Sequence, residues 1–302
     1  MRSAVIIPVY NQERWIGRCL DSLGAQTCRD FVAIAVDDGS TDESASVLSR
    51  RAAAADFDLR VVRRENGGVS AARNSGLSAA LSMSDVDSVM FLDPDDRYLP
   101  TCVARARRAH EEAPDAVIEW TFASPGRDRS EFAAADRLQP NVWCKLYPRE
   151  IVSDVRFCEE TNIAEDLAFN LAVEHRHRPR LVRIPEALYF YEDNALSAMH
   201  RPLTARDFAC RAAVINHIVS IYGDDSSARD TVCREEVPEL LKQFRRSLAR
   251  VPPSEAEAAR LIFRELLVSL RGRGLLHPKR GRLKEFKHYL RFRLDCLFSL
   301  SS

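Results

Sequence analysis

An α/β fold built on a doubly wound, mostly parallel, Rossmann-like sheet follows from three features of this chain. Short apolar runs alternate with helical stretches over residues 4–92, the alternation that packs helices on both faces of a parallel sheet. Each run ends in a polar loop, and in such sheets the loops at the carboxyl ends of the strands converge on one crevice. After residue 201 the pattern turns helical, which predicts a C-terminal helical extension.

Ala4 to Ile7 is the first strand, apolar throughout like a central parallel strand, and Pro8 closes it before Val9-Tyr10-Asn11. Trp15, Ile16, Cys19, Leu20 and Leu23 then recur at helical spacing. Phe31 to Val36 is a second strand running into Asp37-Asp38-Gly39-Ser40-Thr41-Asp42, where Gly39 permits a tight turn and Ser40, Thr41 or Asp42 caps the next helix. Leu59 to Val62 is a third strand, followed by Glu65-Asn66-Gly67-Gly68 and a helix over Val69 to Ser82. The fourth strand, Val89 to Leu92, breaks into Asp93-Pro94-Asp95-Asp96.

In the second half a helix over Thr101 to Glu112 precedes a strand at Ala116 to Phe122. Residues 124–136 read as a loop, interrupted by Pro125 and Gly126. Val142-Trp143-Cys144-Lys145-Leu146-Tyr147 comes next, then a helix opening with Glu165 and Asp166. Two short strands, Leu181 to Ile184 and Leu188 to Tyr191, end the α/β part. Helices are expected over Ala205 to Tyr222, Arg234 to Ala249 and Glu255 to Leu270. The expected division is an α/β domain over 1–200, with halves 1–115 and 116–200, and a helical basic region over 201–302.

Forty-four Lys and Arg balance forty-four Asp and Glu, so no overall field favours nucleic acid. Eight scattered cysteines without a CxxC pair suit reduced, packed thiols. The opening run is too short for a secretory leader, no stretch approaches a membrane span, and no Asn-x-Ser/Thr occurs, so a cytoplasmic location is expected. From Arg271 to Arg293 nine basic residues face Glu285 alone, interleaved with Leu, Phe and Tyr. Such a segment can lie on an anionic membrane through 271–298, or pack its apolar side on the domain.

The acids carry the chemistry. Asp93 and Asp95, one residue apart beyond a strand, can share Mn2+ or Mg2+, hard cations that take carboxylate oxygens and substrate phosphates, or they can form a solvated turn. Glu165 and Asp166 suit the positive end of a helix, so capping alone also accounts for them. The absence of GxGxxG after the first strand disfavours a hydride-transfer enzyme, and no Walker A sequence occurs.

Six blocks taken together, VIIPVYNQERWIGRCLDSLGAQT, VDDGSTDES, NGGVSAARNSGL, FLDPDD, VWCKLY and IAEDLAFNL, resemble glycosyltransferase family 2 in order and rough spacing over about residues 1–200. The resemblance implies the GT-A fold and inverting transfer of a sugar from a nucleoside diphosphate, UDP foremost, to a hydroxyl of a glycan or lipid-linked oligosaccharide in cell-surface polysaccharide synthesis. It implies that Pro8, Val9 and Tyr10 line the base pocket, that Asp38 accepts from the uracil-like ring, and that Asn66, Gly67 and Arg73 lie near base and ribose. Asp93 would reach ribose or metal, Asp95 would hold the cation, and Asp166 would be the catalytic base. Trp143 and Lys145 would be acceptor- or phosphate-side residues, with a place in the core equally open to Trp143, and His200, beside Ser197 and Arg201, would meet metal or phosphate. The segment Ser82 to Asp87 departs from the family, which usually has a glycine-bearing turn there. Two rivals remain: a scaffold that binds sugar nucleotides without catalysis, and a nucleotidyltransferase, for which a glycine-rich phosphate loop is missing.

Overall fold

The computed structural model describes residues 1–275 except 126, 130–136, 162, 193, 195–202, 224 and 274. The chain divides into two compact units, Met1–Arg201 and Pro202–Ser302. In the first unit, β1 (Arg2–Val9), α1 (Ile16–Gly24), β2 (Phe31–Asp37), α2 (Ser44–Ala54), β3 (Asp58–Arg63), α3 (Val69–Leu81) and β4 (Val86–Phe91) alternate as the apolar pattern predicts. All four strands run parallel in the order β3-β2-β1-β4. β1 and β2 are buried almost along their whole length because helices cover both faces, whereas edge strand β3 is only half-buried. Gly76 lets α3 lie against β1: a Cβ there would stand 2.4 Å from Ile6 Cγ2.

The remainder of the unit is β5 (Arg97–Tyr98), α4 (Cys102–Glu112), β6 (Ala116–Ser124), β7 (Arg127–Arg129), β8 (Lys145–Pro148), α5 (Arg149–Val152), α6 (Glu165–His177) and β9 (Arg180–Phe190). The sheet continues from β4 through β8, β6 and β9 to β5, with β7 paired to β6. It is mixed here: β8 is antiparallel to both neighbours, while β9 runs parallel to β6. Two expectations need correction. Part of the stretch expected as a loop over 124–136 is β7, an antiparallel partner of β6. The two late strands are one, β9, whose register jumps from Ile184 opposite Trp120 to Ala187 opposite Thr121. That irregularity absorbs Pro185, which has no N–H to give to a ladder.

The second unit contains α7 (Ala205–Ile221), α8 (Ser226–Leu248) and α9 (Pro253–Gly272). Thr204 and Asp207 form a reciprocal capping box on α7. α8 starts earlier than expected and passes through Pro238. Its buried residues Val237, Leu241 and Phe244 share one face, and Phe244 packs against Phe208 and Phe263. Among the described residues no helix is long and apolar enough to cross a membrane. Residues 276–298 of the basic segment lie outside the described residues.

Candidate active site

Three loops at the carboxyl ends of the parallel strands are knitted together by their own polar atoms. Asn11, after β1, is in the left-handed region at φ 52°. Its Oδ1 accepts from the Thr41 amide at 2.8 Å, joining the β1 loop to the β2 loop. Gly39, at φ 72°, brings the β2 loop against the β3 loop, where a Cβ would meet the Asn66 amide nitrogen at 2.8 Å. Of the predicted base-pocket residues, Pro8 is buried and Val9 belongs to the core beneath α1, so only Tyr10, 46% exposed, reaches solvent.

Asp38 is 2% exposed, and its carboxylate already accepts from Arg64 Nη1, from the Gly67 amide at 3.1 Å and from the Gly68 amide at 2.7 Å. Asn66 Nδ2 donates to the Asp38 carbonyl at 3.0 Å. Asp38 therefore shapes the 64–68 loop, and Asn66 and Gly67 stand exposed at its tip. Arg64 was not among the expected site residues, although a cation at the end of β3 opposite Asp37-Asp38 is a readable signal.

The acids after β4 meet the acids of α6 through one side chain. Arg73, 3% exposed, donates from Nη2 to Asp93 Oδ1 at 3.0 Å, and from Nη1 to Glu165 Oε1 at 3.0 Å and Asp166 Oδ1 at 2.7 Å. Its guanidinium also lies over the Phe157 ring at 5.3 Å. A buried guanidinium must be paired, and both terminal nitrogens of Arg73 are taken by carboxylates, one of them Asp93, the residue expected at ribose or metal. Burial opposes its charge, but Asp166, Asp93 and Glu165 outweigh that and raise its pKa. α3 also anchors the approach to α6, since Asn74 bonds the Phe157 amide and carbonyl and Ser70 bonds the Thr161 carbonyl. Ala164, directly before Glu165, is left-handed at φ 56°, a costly conformation for a residue with a Cβ, and it sets the entry into α6.

Asp166 accepts at its other oxygen, Oδ2, from the Val142 amide at 3.1 Å. Burial pushes its pKa up to about 7, with Glu165 and Asp93 adding to the rise and Arg73 and the Val142 amide opposing it. A carboxyl poised there can take a proton near neutral pH. Burial and then Asp93 raise the Asp95 pKa, and Asn194 Nδ2 donates to Asp95 Oδ2 at 3.1 Å. Asp96 accepts from Tyr189 OH at 2.6 Å and from the Glu192 amide at 2.8 Å, clasping the end of β9. Burial and Asp93 push its pKa up to about 8.

Asp93 and Asp95 fit a hard divalent cation. Both are oxygen donors, and the crowding of negative charge that raises Asp95 is what a cation relieves. Among the described residues no group of three His, Cys, Asp or Glu side chains is placed to hold a metal. Two carboxylates completed by a donor's phosphates and water would be the arrangement for Mg2+ or Mn2+. Lys145 corrects another expectation. It is 0% exposed, with its ammonium on Glu119 Oε1 at 3.2 Å and on the Asn141 carbonyl, so it braces the sheet and does not face a phosphate. Burial lowers its pKa against the pull of Glu119. Trp143 stacks on Tyr189 with ring centroids 4.5 Å apart. His200, with Ser197 and Arg201, lies outside the described residues.

Comparison with known proteins agrees with this architecture. The chain is 28% identical over 274 residues to the uncharacterized glycosyltransferase EpsJ of Bacillus subtilis, covering 79% of this chain and 76% of that one. It is 40% identical over 123 residues to the succinoglycan biosynthesis protein ExoW of Rhizobium meliloti, a match covering 40% of this chain and 38% of the relative. Among solved structures, S. aureus TarS 1-349 in complex with UDP-GlcNAc superposes with TM-score 0.59 at 20% identity, over 90% of this chain and 92% of that one. The mannosyltransferase PcManGT of Pyrobaculum calidifontis, in complex with GDP-Man and Mn2+, gives TM-score 0.56 at 19% identity, over 99% and 87%. The family described as Glycosyl transferase family 2 matches residues 4–165, more than half of the chain, and with the GT-A-type sheet and the acids at its strand ends this chain belongs to that family.

Proposed function

We propose that this protein is an inverting, metal-dependent glycosyltransferase that moves a sugar from a UDP-linked donor to a hydroxyl of a glycan or lipid-linked oligosaccharide in cell-surface polysaccharide synthesis. The observation that carries the reading is the Arg73 bridge, which brings Asp93 of the DPDD turn and Asp166 of α6 onto one guanidinium. A single displacement at the anomeric carbon needs one base, on the acceptor side, and no covalent intermediate. Asp166 takes the proton of the acceptor hydroxyl at a carboxylate oxygen, as the hydroxyl oxygen bonds to the anomeric carbon from the side opposite the diphosphate, whose bond to that carbon breaks. Asp93 and Asp95 would hold Mn2+ or Mg2+, which when bound neutralises charge on the departing diphosphate. Tyr10, Asn66 and Gly67, exposed at the loop tips, would receive base and ribose. Because Asp93, Asp95 and Asp166 are all present, the catalytic reading outranks the scaffold reading.

The donor class is supported by TarS, which was solved with UDP-GlcNAc, and the acceptor class by ExoW, a succinoglycan biosynthesis protein. A cytoplasmic enzyme touching the inner membrane face through 271–298 would suit lipid-linked acceptors. The test is thermal stabilisation by UDP, GDP, CMP and dTDP, with and without Mn2+, on wild type and Asp95→Ala. UDP with Mn2+ should raise the midpoint, by about 2.7 kcal/mol of stabilisation at a hundredfold excess over Kd, and the shift should disappear in Asp95→Ala. Stabilisation by no nucleotide overturns the reading. A UDP shift that needs no metal and survives Asp95→Ala removes the metal role.

A further inference from the structure

Asp166 is held at two points, and the second is a backbone amide whose own placement needs explaining. The Val142 N–H belongs to the same planar peptide unit as the Asn141 carbonyl, so fixing one end of that unit aims the other. The Asn141 carbonyl receives two donors: Lys145 Nζ, and Asn170 Nδ2 at 3.3 Å. Asn170 Nδ2 also reaches the carbonyls of Gln139 at 3.0 Å and Pro140 at 2.9 Å. Tyr147 OH donates to Asn170 Oδ1 at 2.7 Å, which settles which end of the amide faces the turn. Glu119 anchors the same turn from below, accepting from the Gln139 amide at 2.8 Å while paired with Lys145 and with Arg183 Nε at 3.1 Å.

These groups are buried, with Asn170, Glu119, Lys145 and Tyr147 each no more than 2% exposed. Asn170 stands four residues after Asp166 on α6, one turn along the same face. One helix face thus carries both the carboxylate and the amide that holds the carboxylate's partner. Donors on a carbonyl also polarise its peptide unit and strengthen the N–H at the other end.

We propose that Asn170 and Lys145 are positioning residues for the Asp166 carboxylate, acting through the 141–142 peptide. The inference rests on the reading of Asp166 as the base. Removing either donor frees the peptide to rotate, weakens the Val142 N–H bond, and withdraws stabilisation from the charged carboxylate. Its apparent pKa then rises, while Arg73 from α3, Asp93 after β4 and Glu165 on α6 stay in place. Lys145 also attracts Asp166 through space, so its removal adds a direct rise, and Asn170→Leu is the variant that isolates the peptide.

The experiment is a carboxyl 13C NMR titration of the whole protein labelled at aspartate, with the Asp166 signal assigned by its loss in Asp166→Asn. Asn170→Leu removes the amide donors at similar volume. The double variant Glu119→Gln/Lys145→Met removes the ammonium without leaving a lone buried charge, and it carries the test if Asn170→Leu does not fold. The expected result is a rise of about one pH unit in the Asp166 midpoint, the scale of a weakened hydrogen bond to a charged group. An unchanged midpoint in a folded variant overturns the proposal. Release of UDP from UDP-GlcNAc and UDP-glucose, measured in parallel, isolates the underlying reading. If Asp166→Asn retains full release, the base assignment fails, whatever the titration shows.

Discussion

Replacing Arg73 by lysine asks whether one cation sets the proton affinity of Asp166. The substitution keeps a positive charge but loses the fork, because an ammonium cannot serve Asp93 and Asp166 from two separate nitrogens as the guanidinium does. Charges about 4 Å apart in an effective dielectric of about 20 attract by about 4 kcal/mol. If lysine retains about half of that toward Asp166, the carboxylate loses about 2 kcal/mol, or about 1.5 pH units. The acid limb of the rate profile, placed near 7 by the wild-type carboxyl, then moves up by that amount. At pH 7 the rate falls about fifteenfold, because only about 3% of Asp166 stays ionised, and toward pH 9 the variant closes most of the gap. The assay is UDP release from a UDP-sugar panel across this pH range with Mg2+ present, together with a thermal midpoint to show that the fold survives. A rate lowered equally at every pH, with the limb unmoved, would falsify the electrostatic link and leave Arg73 a role on the Asp93 side only.

The clasp at the end of β9 gives a stability signature. Asp96 and Asp166, raised to about 8 and about 7, hold protons in the folded state that an unfolded aspartate, at about 3.9, has released. Their contribution is therefore fully present below about pH 4 and is lost as pH rises through 7 and 8. With chelator present, the melting temperature of Asp96→Asn should fall less steeply over that window than that of wild type; parallel slopes would sink the assignment. Gly39→Ala should cost about 2 kcal/mol, since alanine is strained at φ 72° and its Cβ meets the Asn66 amide. A midpoint within error of wild type would show that the β2 loop relaxes freely. Gly76→Ala should destabilise by about 1–2 kcal/mol: overpacking on Ile6 at 2.4 Å exceeds the roughly 1 kcal/mol helix-propensity gain of alanine. A rise in melting temperature would contradict that packing.

β1, β2 and β4 were legible because burial on both faces leaves a continuous apolar run; β2 and β4 give way where Asp37 and Asp93 interrupt it, whereas β1 does not close at Pro8 as expected but stays paired with β2 through Val9. β9 was not legible as one strand, because Pro185 breaks the local pattern and only pairing with β6 carries the chain past it. The acids of the site were legible for a related reason, since carboxylates at strand ends have no local partner and so announce a tertiary one. Their partners were not. Arg73 stands 20 residues from Asp93 and 93 from Asp166, and a sequence block gives a residue's address without the direction of its side chain. A signal did exist, because Arg73 falls in phase with Gly76, Leu77 and Ala80, the face of α3 that packs inward. A guanidinium on an inward face must be paired, and the acids left without local partners were those after β4 and at the start of α6. Lys145 carried the opposite trap: it follows a half-exposed tryptophan but points into the sheet, where Glu119 waits on β6. The same rule reads both residues. In the interior of this fold a cation marks where carboxylates converge, and which carboxylates converge decides whether it pairs within the sheet, as Lys145 does, or joins the acids after β4 to those of α6, as Arg73 does.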